Sequence, residues 1–188
     1  MAKSIDPKIA KELMEAIVKH DSAHAFELIR THSARELFCD DKFTTSGKTP
    51  LHHAISENNA EVALALINKE GANANMAFKK TSGVWGLSTP LHEAVHIIIN
   101  KDGQKEITAN KAIVEALVNM KGVNSGHLSS KDNHGKTASA MAREAHFNDI
   151  AVIIEENLAE KLKAKPEEQT PHVQTAMPAS QIQQQLYH

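Results

Sequence analysis

The sequence predicts an all-α fold, a solenoid of about four stacked helix-turn-helix repeats with long loop insertions, and three observations carry that expectation. A short segment recurs: Gly47-Lys-Thr-Pro-Leu-His-His-Ala54 returns as Leu87-Ser-Thr-Pro-Leu-His-Glu-Ala94 and, more faintly, as Gly135-Lys-Thr-Ala-Ser-Ala-Met-Ala142. Behind each copy lies a stretch with apolar residues at helical spacing: Val62, Leu66 and Ile67, then Ile113, Leu117 and Val118, then Ile150, Ile153 and Ile154. Composition agrees, because 41% hydrophobic residues with only 4% aromatics suit small cores between stacked helices better than a sandwich or barrel.

Each unit reads as a helix pair. Its first helix opens with Thr49, Thr89 or Thr137 at a capping position, and in the first two copies Pro50 or Pro90 follows in the first turn, where a missing N–H costs nothing. A pair without the motif precedes them. There Asp6 caps, Pro7 opens, and Ile9, Leu13, Ala16 and Ile17 make one apolar stripe; Asp21-Ser22 then starts a partner helix with Phe26, Ile29 and Leu37 directed at the same core. The expected helices lie near 7–19, 22–37, 49–57, 60–69, 89–100, 106–120, 137–146 and 148–163. Breaks fall at Asn58-Asn59 and at Gly71 and Gly122, which suit C-terminal capping. These elements predict a repeat domain over 1–163, with repeats near 5–40, 45–82, 85–130 and 132–163, and a polar Gln/Pro-rich tail over 164–188. Within the tail, Ile182, Leu186 and Tyr187 keep helical spacing, leaving a short docked helix open.

The charge balance narrows the partners. Lys+Arg is 21 against Asp+Glu 23, a net charge of −2, so nothing draws the chain to nucleic acid or anionic lipid. A single cysteine, Cys39, cannot form an internal disulfide, and no apolar leader follows Met1, so a reducing cytoplasmic compartment is expected. Aliphatic runs such as Ile97–Ile99 and Ile150–Ile154 fall far short of the roughly 20 residues a membrane helix needs.

Thr-Pro-Leu-His-x-Ala at the head of a helix pair resembles the signature of the ankyrin repeat family, over roughly residues 5–163. Gly71-Ala-Asn-Ala-Asn75 is similar to the family's inter-repeat Gly-Ala-Asp-x-Asn, and Asp132-Asn-His-Gly-Lys-Thr137 to its Asp-x-x-Gly-x-Thr turn. The spacing departs from the family period of about 33 residues. Thr49 to Thr89 is 40 and Thr89 to Thr137 is 48, which implies insertions around Ala77–Gly83 and, for the second, at Lys101–Lys105 and Ser125–Ser130. The outer units are degenerate: the first lacks the tetrapeptide, and Ala138, Ser139 and Ala140 replace Pro, Leu and His in the last. Terminal repeats with one face in water are expected to be atypical. Leu51, Leu66, Leu91 and Leu117 should be core. The resemblance implies that His52 and His92 are structural, tying the helix start to the adjacent loop.

One motif argues for different chemistry. His92-Glu93-Ala94-Val95-His96 is a literal H-E-x-x-H, the spacing that sets two imidazoles on one helix face around zinc with Glu as base, and Glu115 follows where a third ligand can stand. The alternative function is therefore a zinc-dependent hydrolase using His92, Glu93 and His96. Against it, His92 already serves as the fourth residue of Thr-Pro-Leu-His, and twelve histidines in the chain make a chance match unsurprising. His20 and His24 straddle a helix break, His52 and His53 point to different faces, Gly47-Lys48-Thr49 lacks the upstream glycine of a phosphate loop, and Cys39 has no nucleophile setting.

What remains is recognition, so the expectation is a non-enzymatic scaffold without metal or cofactor. The resemblance implies a concave groove of turn tips and first helices that binds another protein, with the chain a monomer. Carried over position by position, the partner-binding residues are Thr45, Ser46 and Lys48, Trp85 and Ser88, and Asn133, His134 and Lys136 on the turns. Ser56, Glu57, His96 with Ile97, and Glu144 follow at the helix ends. Trp85 is the expected anchor, as the single Trp in a sequence where interface hot spots favour that residue, with packing on the Ala77–Gly83 insertion as its other role. The family occurs throughout eukaryotes and among effectors that intracellular bacteria deliver into host cells. Long insertions and weak outer repeats fit the second kind, and composition leaves both origins open.

Overall fold

A computed structural model describes residues 8–38, 48–77, 88–100 and 104–163. Four helix pairs carry the fold. They are α1 (Lys8–Val18) with α2 (Ser22–Thr31), α4 (Pro50–Ser56) with α5 (Ala60–Ile67), α7 (Pro90–Asn100) with α8 (Gln104–Val118), and α10 (Ala138–Glu144) with α11 (Asn148–Lys163). Three single turns follow the second helices of the first three pairs: α3 (Ala34–Leu37), α6 (Ala74–Ala77) and α9 (Ser125–Leu128). First helices stack on first helices in the order α1, α4, α7, α10, and second helices likewise in the order α2, α5, α8, α11. The result is the two-layered helical solenoid that the repeats predict.

The local chemistry explains where the helices begin. Thr49, Thr89 and Thr137 each accept the backbone N–H three residues on, from His52, His92 and Ala140, and Pro50 and Pro90 occupy the first helical position. Asp21 caps α2 through the His24 N–H at 3.0 Å, and Asn59 caps α5 through the Val62 N–H at 3.2 Å. Between the helices of a pair the chain turns through left-handed residues: His20 (φ 56°), Asn58 (φ 56°) and His146 (φ 66°) occupy the same place in the first, second and fourth pairs.

Four details differ from the sequence expectation. The single helix expected over 22–37 is two, because His32 is extended (φ −111°, ψ 157°) and Ser33 starts α3 with a capping box closed by Glu36. Gly71 and Gly122 do not cap α5 and α8; each lies four residues beyond the helix end, with φ 82° and 79°, in the turn that leads to the next short helix. Ser125–Ser130, expected as loop, contains α9, capped by Asn124. Phe26 is 37% exposed, since the core face of α2 is made by Ala25, Leu28 and Ile29. Asp6, Pro7, Cys39, the 78–83 part of the first insertion, Lys101–Gly103 and the tail over 164–188 lie outside the described residues.

A single apolar cluster runs the length of the stack, with Leu13 and Ile17 from the first pair, Leu51 and Leu66 from the second, Leu91 and Leu117 from the third, and Ile150 and Ile154 from the fourth. All eight are 0–1% exposed. No pair could bury its stripe alone. Stability is therefore a property of the interfaces between neighbours as much as of the pairs.

Candidate functional site

The Thr-x-x-His segments do more than start helices. His92 is 2% exposed, and its Nδ1 receives the Thr89 N–H at 3.3 Å and lies 2.7 Å from Thr89 Oγ1, while its Nε2 lies 3.1 Å from the Lys136 carbonyl. A backbone N–H can only donate and a carbonyl can only accept. His92 is therefore a neutral imidazole protonated at Nε2, with both nitrogens engaged. His52 repeats the first half of this pattern, with the Thr49 N–H on Nδ1 at 3.3 Å and Thr49 Oγ1 at 2.8 Å. Burial lowers its pKa to about 3, opposed by the Ser88 backbone and reinforced by the charge of Lys48. Ser88 and Lys136 both precede the Thr of the next copy, so each histidine reaches the same point of its neighbour. His52 Nε2 itself makes no hydrogen bond among the described residues. The copy with Ala140 in place of the histidine has no further pair stacked on it among the described residues.

This lacing positions the turn at 132–137. Asp132 Oδ1 accepts the His134 and Lys136 N–H groups, both at 2.9 Å, Gly135 takes φ 76°, and Lys131 pairs with Thr137 as an antiparallel bridge. Burial pushes the Asp132 carboxyl up, but those two backbone bonds outweigh it and hold the group below its ordinary value.

Two adjoining clefts open on the face formed by this turn and the first helices. One, about 420 Å³, is lined by Lys48, Ser88, His92, Glu93, His96, Asp132, Asn133, His134 and Met141. The other, about 490 Å³, is lined by Asp132, His134, Lys136, Met141, Glu144 and Ala145. Both fall in the size range of ligand clefts. The first brings together Lys48, Ser88, His96, Asn133 and His134 of the expected partner-binding set, and the second adds Lys136 and Glu144. Lys48 donates to Glu93 Oε1 at 3.0 Å and to Ser56 Oγ at 3.3 Å, which ties α4 to α7 and places Ser56 at the edge of the same face. Lys136 pairs with Glu144. Glu57 ends α4 as its C-cap residue and is half-buried. Ile97 departs from expectation: it is 9% exposed and belongs to the core. Thr45, Ser46 and Trp85 lie outside the described residues.

Glu93, Asp132 and Met141 line the clefts without having been expected there as partner contacts. A signal existed, because Glu93 and Met141 stand four residues after the Thr of their copies, as His53 does in the first. The zinc arrangement does not assemble. His92 spends both nitrogens on protein groups, Glu93 is bound by Lys48, and Glu115 is exposed on α8. Among the described residues no group of three or more His, Cys, Asp or Glu is arranged to hold a metal ion.

Comparison with known proteins agrees with the geometry. The profile of ankyrin repeats (3 copies) matches residues 13–107, just over half of the chain. No curated protein matches. Among solved structures, the ankyrin repeat domain of Bcl-3, described as a unique member of the IkappaB protein family, is similar at 22% identity and a TM-score of 0.49. That match covers 80% of this chain and 57% of the other, so this chain spans less than two thirds of that one. With the recurring Thr-Pro-Leu-His helix starts, the stacked pairs and the profile match in accord, this chain belongs to the ankyrin repeat family.

Proposed function

We propose that this chain binds another protein through the face that carries the two clefts. The observation behind the reading is convergence: Lys48, Ser88, His96, Asn133, His134, Lys136 and Glu144, drawn from three repeats, meet along one surface of turns and first helices. Polar side chains stand along the lining beside the apolar Met141 and Ala145, which suits a protein segment whose main chain needs hydrogen-bond partners. Thr45, Ser46, Ser56, Glu57 and Trp85 complete the proposed contact set by their places in the repeat motif, with Trp85 as its anchor.

Photocrosslinking tests the reading. A benzophenone amino acid at position 133, on the turn, should trap a partner from cell lysate, and the same group at position 156, exposed on α11, should not. Crosslinks confined to position 156 would overturn the assignment of the face. Monomeric state and cytoplasmic location are part of the same proposal. Delivery into a host cell rests on the long insertions and degenerate outer repeats, and a reporter-fusion translocation assay checks it.

Among the described residues no helix is long and apolar enough to cross a membrane.

A further inference from the structure

We propose that the groove takes a basic side chain, an arginine or a lysine, of an extended partner segment, received by the carboxylate of Asp132; this deepens the groove reading above and rests on it. Carboxylates lining the two clefts are Glu93, Asp132 and Glu144, and the lysines lining them are Lys48 and Lys136. Lys48 is bound by Glu93, with its ammonium also on Ser56, and Lys136 is bound by Glu144. His92 is neutral by its hydrogen bonds. Asp132 is left as the carboxylate with no ion pair among those of the described residues.

Its geometry suits reception. The turn uses only Oδ1, which accepts both backbone bonds, so the second oxygen is not consumed by the fold. Those bonds also hold the group ionised. A basic residue has a long apolar stem below its charge, and Met141, partly buried on the core, offers that stem a wall beside the carboxylate. Asp132, His134 and Met141 line both clefts, so a segment running along the groove passes Asp132 whichever way it is threaded. An acidic segment finds the opposite: both lysines are already neutralised, and its carboxylate would meet Asp132.

The experiment selects phage-displayed random 12-residue peptides on the whole protein and sorts them by binding to Asn133→Trp, whose indole fills the groove from an exposed turn position. Peptides that bind the natural protein and fail on Asn133→Trp are groove ligands. Each should carry an arginine or lysine at one fixed position, and Asp132→Asn should weaken them about tenfold. Asparagine keeps the Oδ1 that accepts the turn's N–H bonds, so a circular dichroism spectrum and melting curve equal to the natural protein's separate loss of charge from loss of fold. Glu93→Gln, which keeps an oxygen for Lys48 but leaves its charge uncompensated beside the groove, should add to the loss. Groove ligands without a fixed basic residue, or with affinity unmoved by Asp132→Asn, overturn the inference while leaving the groove reading in place. Absence of any groove-directed peptide overturns both.

Discussion

His92 Nε2 donates to the carbonyl of Lys136 at 3.1 Å, across the interface between the third and fourth repeats. One buried imidazole thus joins the start of α7 to the turn that forms the groove wall. His92→Ala should cost about 2–4 kcal/mol, because it leaves the Thr89 N–H and the Lys136 carbonyl without their partner and opens a cavity. His96→Ala, at the exposed end of the H-E-x-x-H, should stay within roughly 0.5 kcal/mol. Urea unfolding of the two variants measures the contrast. Equal losses would contradict the structural role given to His92.

Acid should destabilise the protein through His52. Its folded pKa, lowered from 6.5 to about 3 by burial, lies below that of the unfolded chain. Between those values the unfolded state binds the proton and the folded state does not, so stability is complete above about 6.5 and falls as pH drops toward 3, by up to about 1.4 kcal/mol per pH unit. His53, whose pKa burial also lowers, adds in the same direction. Unfolding free energies from urea titrations at pH 7.5 and 5.0 should therefore differ by roughly 2 kcal/mol in the natural protein. The His52→Asn variant, whatever its absolute stability, should show a clearly smaller separation. An unchanged separation would place the acid sensitivity elsewhere.

The repeat motif was legible because its chemistry is local: the Thr cap, the Pro in the first turn and the His that folds back on the cap lie within four residues. The break at His32-Ser33 was hidden for a related reason. Apolar residues keep helical spacing from Ala25 to Leu37, and only the Ser33/Glu36 capping box interrupts it. Phe26 misled by its size; helix phase, set by Ala25, Leu28 and Ile29, turns it outward. The expected groove positions Lys48, Ser88, His96, Asn133 and His134 could be carried over from the motif, whereas Glu93, Asp132 and Met141 meet only through stacking. Which side chains share a cleft across that interface depends on repeat register and insertion length, and no short-range pattern in the chain sets either.

The ion pair of Lys48 and Glu93 should matter more than others on the surface. Its side chains are 21% and 15% exposed, and it ties α4 to α7. The pair of Lys111 and Asp149, 37% and 61% exposed, joins α8 to α11 in a wetter setting. Double-mutant cycles to alanine should give a coupling of about 1 kcal/mol or more for the first and less than about 0.5 kcal/mol for the second. Raising salt should shrink the second more than the first. Equal couplings would mean that the Lys48 pair is as solvated as any exposed one.

The left-handed turns give the sharpest sign test of the fold. His20, Asn58 and His146 hold φ of 56°, 56° and 66° at one place in three repeats, a conformation that glycine adopts without the cost imposed by a Cβ. His20 and His146 are exposed, and the hydrogen bonds that close their turns use the backbone, such as His146 N–H to the Arg143 carbonyl at 3.0 Å. His20→Gly and His146→Gly should each gain about 0.5–1 kcal/mol, the relief of strain exceeding the extra freedom of glycine in the unfolded chain. Asn58→Gly should go the other way. Asn58 Oδ1 accepts the amide of buried Asn110 at 3.1 Å, and removing it strips a buried donor of its acceptor at a cost of about 1–2 kcal/mol. Thermal melts of the three variants read the signs directly: two raised midpoints and one lowered confirm that the same backbone shape is held for different reasons. A raised midpoint for Asn58→Gly would show that the contact between Asn58 and Asn110 contributes less than the strain it accompanies.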